Sequence, residues 1–305
     1  MLGRPVFFVD DDPVRDAQAQ AALEAAARQV GFDEVHFLYE PIAAALDYER
    51  GVSAEQLVLV ADIGGGTSDF SVVRVGPQRR DQLDRRSDIL ANHGVHIAGT
   101  DFDRRIELSA ILPEFGFGAL GPSRGGEPPR EVPSAVYFDL ATWHLINTVY
   151  SPQRVAELRT MRRFYANPLH HDRLLSVLTQ HLGHDLAARA EAAKIQLAEG
   201  GSARVDRGLV QAGLEIVVSE REALQSIEAD IASIVGAATA AVVQAGLRAH
   251  RIDALYFTGG STGLRRLADA IAAPFASARV MRGDRFASVA TGLGLYARRC
   301  FAADA

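Results

Sequence analysis

Leu57-Val58-Leu59-Val60-Ala61-Asp62-Ile63-Gly64-Gly65-Gly66-Thr67-Ser68-Asp69 is the stretch on which the fold turns. Its first five residues are apolar without alternation, as in a strand buried on both faces. Three glycines then let the backbone approach a bulky anion, because no Cβ stands in the way. Successive backbone N–H groups in such a turn form a concave anion site. Thr67 adds a hydroxyl donor. Asp62 and Asp69 flank the turn and suit a hydrated Mg²⁺, a hard cation that prefers oxygen and water. A plain hairpin turn with polar ends is the other reading, but it needs one or two glycines rather than three between acids. Phosphate binding is favoured.

Working outward, Val6–Val9 reads as a strand, Pro13–Val30 as a helix closed by Gly31, Val35–Leu38 as a strand and Pro41–Tyr48 as a helix. Phe70–Val75 is the strand returning from the glycine turn, and Ile89–Ile97 is a third strand beside it. From Thr100 the period changes: Asp101–Leu112 is helical, Gly116–Pro133 is a glycine- and proline-rich loop, and Trp143–Leu197 is largely helical with breaks near Pro152 and Pro168. Ser202–Val205 and Leu214–Val218 suggest a hairpin. Glu220–His250 reads as one long helix, Ile252–Phe257 as a strand, and Leu264–Ala273 and Ala287–Arg299 as helices. Strands alternating with helices mean an α/β layered fold.

Composition narrows the function. The 305 residues suffice for about two domains. Apolar residues make up 48% and charged residues 23%, ordinary for a globular chain and against disorder. With 32 basic and 38 acidic residues the net charge is −6, against nucleic-acid binding. The single cysteine, Cys300, excludes an internal disulfide and a four-cysteine zinc site, so a reducing compartment is expected. The first residues lack the apolar run of a signal peptide. The uncharged stretch Ile231–Leu247 is expected to be a buried helix, too short and too weakly apolar to span a bilayer. A cytoplasmic location with no membrane partner is the resulting expectation. Lys194 is the only lysine among the basic residues, a pattern of coding bias.

A second glycine cluster, Thr258-Gly259-Gly260-Ser261-Thr262-Gly263, also follows an apolar strand and precedes a helix. It suits a second nucleotide-contacting loop. It also matches G-x-S-x-G, which would make Ser261 a hydrolase nucleophile. In that fold the histidine follows the serine, whereas the last histidine here is His250. Glu40-Pro41 sits at a strand-to-helix junction, where a carboxylate faces ligands over the strand ends or simply favours the helix dipole. Glu191 and Lys194 share a helical face, as an ordinary ion pair would. The pairs His93/His96 and His181/His184 lack a metal-site context. No Walker loop is present, and no dinucleotide fingerprint follows a strand.

Together these residues resemble the DnaK-type, heat-shock-70 chaperone family of the actin-like ATPase superfamily. Asp62–Asp69 looks like that family's second phosphate loop, and Glu40-Pro41-Ile42-Ala43-Ala44-Ala45 like its connecting segment. Gly99-Thr100-Asp101-Phe102-Asp103 is similar to the G-E-D-F-D that opens the upper lobe. Glu191-Ala192-Ala193-Lys194 and Gly259-Gly260-Ser261-Thr262 resemble the adenosine contacts. The wording around Tyr39–Tyr48 looks closest to the YegD-like branch.

The resemblance implies the following roles. Glu40 and Asp62 would hold Mg²⁺ through water. Gly64, Gly65, Gly66 and Thr67 would hold the β- and γ-phosphates of ATP or ADP, and Asp69 would orient the attacking water or a monovalent cation. Gly99 would lie near the nucleotide, Glu191 and Lys194 would contact ribose and adenine, and Gly259, Gly260 and Ser261 would close the nucleotide from the other side. Catalysis is thus expected to involve Glu40, Asp62, Thr67 and Asp69, with client or co-chaperone proteins as partners.

Departures from the family pattern bear on activity. The first phosphate loop, Asp-x-Gly-Thr, and the family's catalytic lysine are not in the sequence, so an N-terminally truncated member with impaired ATP hydrolysis is expected. Ile195 stands where the family has a base-stacking arginine, and Ala198 where it has a serine. A protein without the family's β-rich peptide-binding domain is expected. The expected architecture is an RNase H-like α/β lobe from 51–98 and 225–305, an inserted helix-rich α+β upper subdomain at 99–224, and residues 1–50 as a remnant of the incomplete partner lobe. In that remnant, strands Val6–Val9 and Val35–Leu38 would lack sheet neighbours and invite association. The alternative function is a non-catalytic fragment or pseudo-ATPase acting as a protein-interaction module.

Overall fold

The structure, a computed structural model, describes residues 1–9, 12–123, 127–284 and 287–302. The chain forms two compact units, one of residues 1–97 and 232–305, the other of residues 98–231.

The first unit begins with β1 (Leu2–Arg4), α1 (Pro13–Gln29), β2 (Phe37–Tyr39) and α2 (Glu40–Glu49). Three strands follow: β3 (Gln56–Ile63), β4 (Ser68–Val75) and β5 (Ile89–Val95). The second unit holds α3 (Gly99–Ile106), α4 (Ala135–Leu140), α5 (Pro152–Thr160), α6 (Pro168–Thr179), α7 (Gly183–Leu197), β6 (Ser202–Asp206) and β7 (Glu215–Ser219). After α8 (Glu220–Gln244) come β8 (Ala254–Thr258), α9 (Arg265–Ala272), β9 (Arg279–Arg282) and α10 (Ser288–Ala302), which complete the first unit.

One five-stranded sheet, in the order β5-β4-β3-β8-β9, organises the first unit. β3–β4 and β4–β5 are antiparallel, whereas β3–β8 and β8–β9 are parallel. A meander continued by two parallel strands agrees with the expected α/β ATPase lobe. The unalternating run of β3 is explained by its place at the centre: Val58, Leu59, Val60, Ala61 and Ile63 are all buried. On one face, Val58 and Val60 join Val73, Val75 and Tyr256 against Ile42–Leu46 of α2 and Tyr296 and Leu293 of α10. Gly292 of α10 lies so close to α2 that a Cβ there would collide with the Ala43 carbonyl.

The residues before α2 depart from expectation. Val6–Val9 is not a strand. Arg4 holds that segment instead, donating through Nε to the Pro5 carbonyl at 3.0 Å and through Nη2 to the Val6 carbonyl at 3.2 Å, while Phe8 N donates to Asp16 Oδ1. With these groups taken, no ladder forms, and the strand is β1 at Leu2–Arg4. β1 pairs in parallel with β2, Leu2 opposite Phe37, so these strands do not lack a sheet neighbour.

The second unit is a helical layer around Ile106, Ile111, Phe115, Tyr137, Leu140 and Leu174, with the antiparallel β6–β7 hairpin against it. Pro152 and Pro168 open α5 and α6, with Ser151 and Asn167 as N-caps. The expected helix Asp101–Leu112 is α3 followed by a π-helical turn, Glu107–Ile111, and a 3₁₀ turn, Leu112–Phe115. The loop Gly116–Pro133 carries one bridge, Leu120 to Glu131, and its residues 124–126 lie outside the described residues.

α8 ends at Gln244 rather than at His250, because Gly246 adopts φ +71° just beyond it. An 18-residue segment within α8 has mean hydropathy 1.5, so by length and composition alone the helix could cross a membrane, which corrects the expectation that Ile231–Leu247 is too short and too weakly apolar and leaves the expectation of a buried helix in place. The helix begins at Glu220, so it is longer than that stretch. Its buried positions, Ala223, Ile227, Ile231, Ile234, Ala238 and Ala241, recur every three or four residues, as in an amphipathic helix.

Candidate functional site

Parallel pairing of β3 with β8 sets Asp62 opposite Thr258, so both glycine loops leave the sheet side by side at carboxyl ends of strands. Ligands of open α/β sheets bind at such ends. The first loop is a hairpin in which Gly64 N donates to the Thr67 carbonyl at 3.0 Å. The second begins at Gly259, whose φ of +85° favours glycine. A Cβ there would collide with the Ile63 carbonyl and lie 2.7 Å from Asp62 Oδ1. Thr262 Oγ1 then donates to the Gly259 carbonyl at 2.7 Å, and Ser261 Oγ to the Gly64 carbonyl at 2.7 Å. The Ser261 hydroxyl is therefore a strut between loops, which closes the nucleophile reading.

The carboxylates follow from register. In the β3–β4 ladder Asp62 lies directly opposite Asp69, a like-charged pair that destabilises a sheet unless something compensates it. Burial, then the Asp69 charge, pushes the Asp62 pKa up to about 6. Glu40 opens α2 directly after β2, and burial, then Asp62 and Asp69, raises its pKa. Thr67 Oγ1 donates to Asp69 Oδ2 at 2.8 Å. Glu40, Asp62, Thr67 and Asp69 line one cavity of about 520 Å³ with Asn92, Gly94 and His96. The sequence marks neither Asn92 nor Gly94, and it marks His96 only as half of a histidine pair without a metal-site context. Their signal is register: Asp69 pairs with Gly94, and a Cβ at Gly94 would sit 2.5 Å from Asp69 Oδ1.

Ten of the thirteen site residues expected from the sequence thus lie in the first unit, in or beside the glycine loops. The other three, Gly99, Glu191 and Lys194, lie in the second unit. Lys194 Nζ donates to the Gly99 carbonyl at 3.1 Å and to Asp103 Oδ2 at 2.9 Å. Asp103 was quoted only as part of a motif, yet it is the partner that holds the lysine. Burial raises the Asp103 pKa to about 6, with Lys194 opposing and Glu191 and Asp101 adding to it. Glu191 stands one turn earlier on α7 and lines a separate cavity of that unit. Among the described residues no group of three or more His, Cys, Asp or Glu is placed to ligate a metal directly.

Residues 14–109 match the family described as MreB/Mbl protein. A 101-residue stretch is 36% identical to a chaperone protein dnaK of Gracilaria tenuistipitata var. liui, covering 33% of this chain and 15% of that protein. The two matches support the actin-like ATPase and heat-shock-70 superfamily for this chain.

Proposed function

We propose that the chain is an ATP-binding protein of the DnaK-like kind, nearest the YegD-like branch, that holds Mg-ATP or Mg-ADP at the 62–69 and 259–262 loops. One observation carries this: two glycine loops, joined by the Ser261–Gly64 hydrogen bond, flank the carboxylates Glu40, Asp62 and Asp69. The donor set fits a hydrated Mg²⁺, because burial first and neighbouring carboxylates second raise Asp62 and Glu40, and a divalent cation offsets both effects. Glu40 and Asp62 hold the ion through water, and when bound it neutralises charge on the phosphate oxygens. Gly64–Gly66 and Thr67 cradle the β- and γ-phosphates with backbone N–H groups and a hydroxyl. Asp69, fixed by Thr67, orients the attacking water. Gly259, Gly260 and Ser261 close on the nucleotide. Sites of this kind act by positioning and charge stabilisation. Cytoplasmic residence and client or co-chaperone partners belong to the same proposal, as does the assignment of residues 1–50 to a first lobe.

A second reading, a pseudo-ATPase acting as an interaction module, has one observation in its favour. Lys194 is already engaged by Asp103 and the Gly99 carbonyl. Thermal unfolding with and without millimolar Mg-ATP, beside an Asp62→Ala control, separates the two. A ligand at 100 times its Kd stabilises by about 2.7 kcal/mol. A shift that requires Asp62 supports nucleotide binding at this site. Absence of any shift supports the interaction module.

A further inference from the structure

Within the second unit, α3, α7 and the segment 141–144 enclose a cavity of about 380 Å³, in the size range of small-ligand sites. Asp101, Asp103, Glu107 and Glu191 line it, against one arginine, Arg104, whose guanidinium lies over the Phe138 ring at 6.0 Å. Glu107 is the decisive residue. It is 1% exposed, and its Oε1 has no hydrogen-bond partner among the described residues. Burial pushes its pKa up to about 8, with Arg207 opposing and Asp103 adding. Arg207 does not satisfy it: the guanidinium nitrogens of Arg207 are themselves buried without a hydrogen-bond partner among the described residues. Asp103 is committed to Lys194, and Asp101 accepts from Ala98 N at 3.0 Å. Glu107 also starts the π-helical turn of residues 107–111, a conformation found mostly as single turns at functional sites.

The other walls are apolar. Ala187 and Ala188 of α7 supply methyl groups. Trp143 is 61% exposed and meets the His184 ring edge-on, centroids 4.7 Å apart. An indole face attracts cations.

We propose that this cavity takes an organic monocation, a guanidinium or ammonium group on a short alkyl stem, with its head on Glu107 and its stem between Trp143 and the α7 alanines. A positive head supplies the donor that Glu107 Oε1 lacks and offsets the four acids. The head comes either from a free alkyl cation or from a basic peptide side chain. The inference does not rest on nucleotide binding, and because Glu191 is also an expected nucleotide contact, the test is run without nucleotide.

Trp143 is the only tryptophan, so its fluorescence reads occupancy of the cavity. At pH 9, above the Glu107 pKa, butylguanidinium is titrated against butylurea, its neutral isostere, and acetyl-Gly-Arg-Gly-amide against its citrulline counterpart. The charged member of a pair is expected to bind at least about tenfold more tightly, as charge-assisted hydrogen bonding requires. Glu107→Gln is expected to remove that preference. Tighter binding of the arginine peptide than of butylguanidinium identifies a peptide as the source, and the reverse order a free cation. Equal affinity for charged and neutral members overturns the proposal, as does an unchanged preference in Glu107→Gln. Should that variant fail to fold by circular dichroism, the charged-against-neutral comparison on the unaltered protein decides alone.

Discussion

Ser261 Oγ donates to the Gly64 carbonyl across 197 residues of sequence, and this one hydrogen bond locks the second glycine loop onto the first. Ser261→Ala removes the donor and is expected to cost about 1 kcal/mol. Gly259→Ala is expected to cost more, because it adds a collision with the Ile63 carbonyl to a backbone conformation that disfavours alanine. Urea unfolding measures both. A Ser261→Ala loss larger than that of Gly259→Ala would contradict the strut.

Asp62 makes stability fall as pH rises. Its folded pKa of about 6 lies above its ordinary value of 3.8, so the folded chain binds more protons than the unfolded one between those limits. The cost is complete above about pH 6. Asp62→Asn is therefore expected to stabilise the protein at pH 7.5, by roughly 1–3 kcal/mol, with the gain shrinking as pH falls toward 4. Unfolding curves at pH 7.5 and 4.5 test this, and a gain equal at both would refute it.

Lys194 and Asp103 are each about 15% exposed on their side chains, so neither charge is well hydrated. Lys194→Met leaves Asp103 unpaired and is expected to cost about 2–4 kcal/mol. Adding Asp103→Asn should recover part of that loss. If Lys194→Met unfolds like the parent and only nucleotide affinity drops, the lysine is a ligand contact rather than a structural one.

A similar argument applies at Arg85, whose Nη2 and Nη1 reach the two oxygens of Glu49 at 2.8 and 3.0 Å. Both side chains are nearly fully buried, and Asp88 binds the same arginine. Arg85→Ala leaves the buried Glu49 with the Gly76 N–H and no cation, while Asp88 keeps Arg79, and the expected loss by chemical denaturation is about 3–5 kcal/mol. Glu49→Gln keeps the acceptor oxygen and should cost less.

What could be read in the sequence was whatever its local pattern determines. β3 and β8 are uninterrupted apolar runs that end in glycines, so strands, loops and the acids between them were visible together. β9 was not, because Arg279 and Arg282 bracket only Val280 and Met281, and edge strands need no apolar pattern. Val6–Val9 has that pattern without being a strand, since Arg4 and Asp16 take its polar groups. Asn92 and Gly94 reach the cavity through β4–β5 register, which no local signal encodes, and His96 follows just beyond the end of β5. The Glu49–Arg85 pair spans 36 residues, and each charge taken alone resembles a solvated one.

The parallel pairing of β3 with β8 also sets a timetable for biosynthesis. Residues 98–231, the whole second unit, are made after β3 and before β8. At about 5–20 residues per second that interval lasts roughly 10–40 s. For its duration the edge of Val58–Asp62 that later receives Ala254–Thr258 is an open, apolar template for strands of other chains. The loop carrying Asp62 exists throughout, but its companion at Gly259 is made only after the second unit, so the pocket between the two loops cannot assemble until that interval is over.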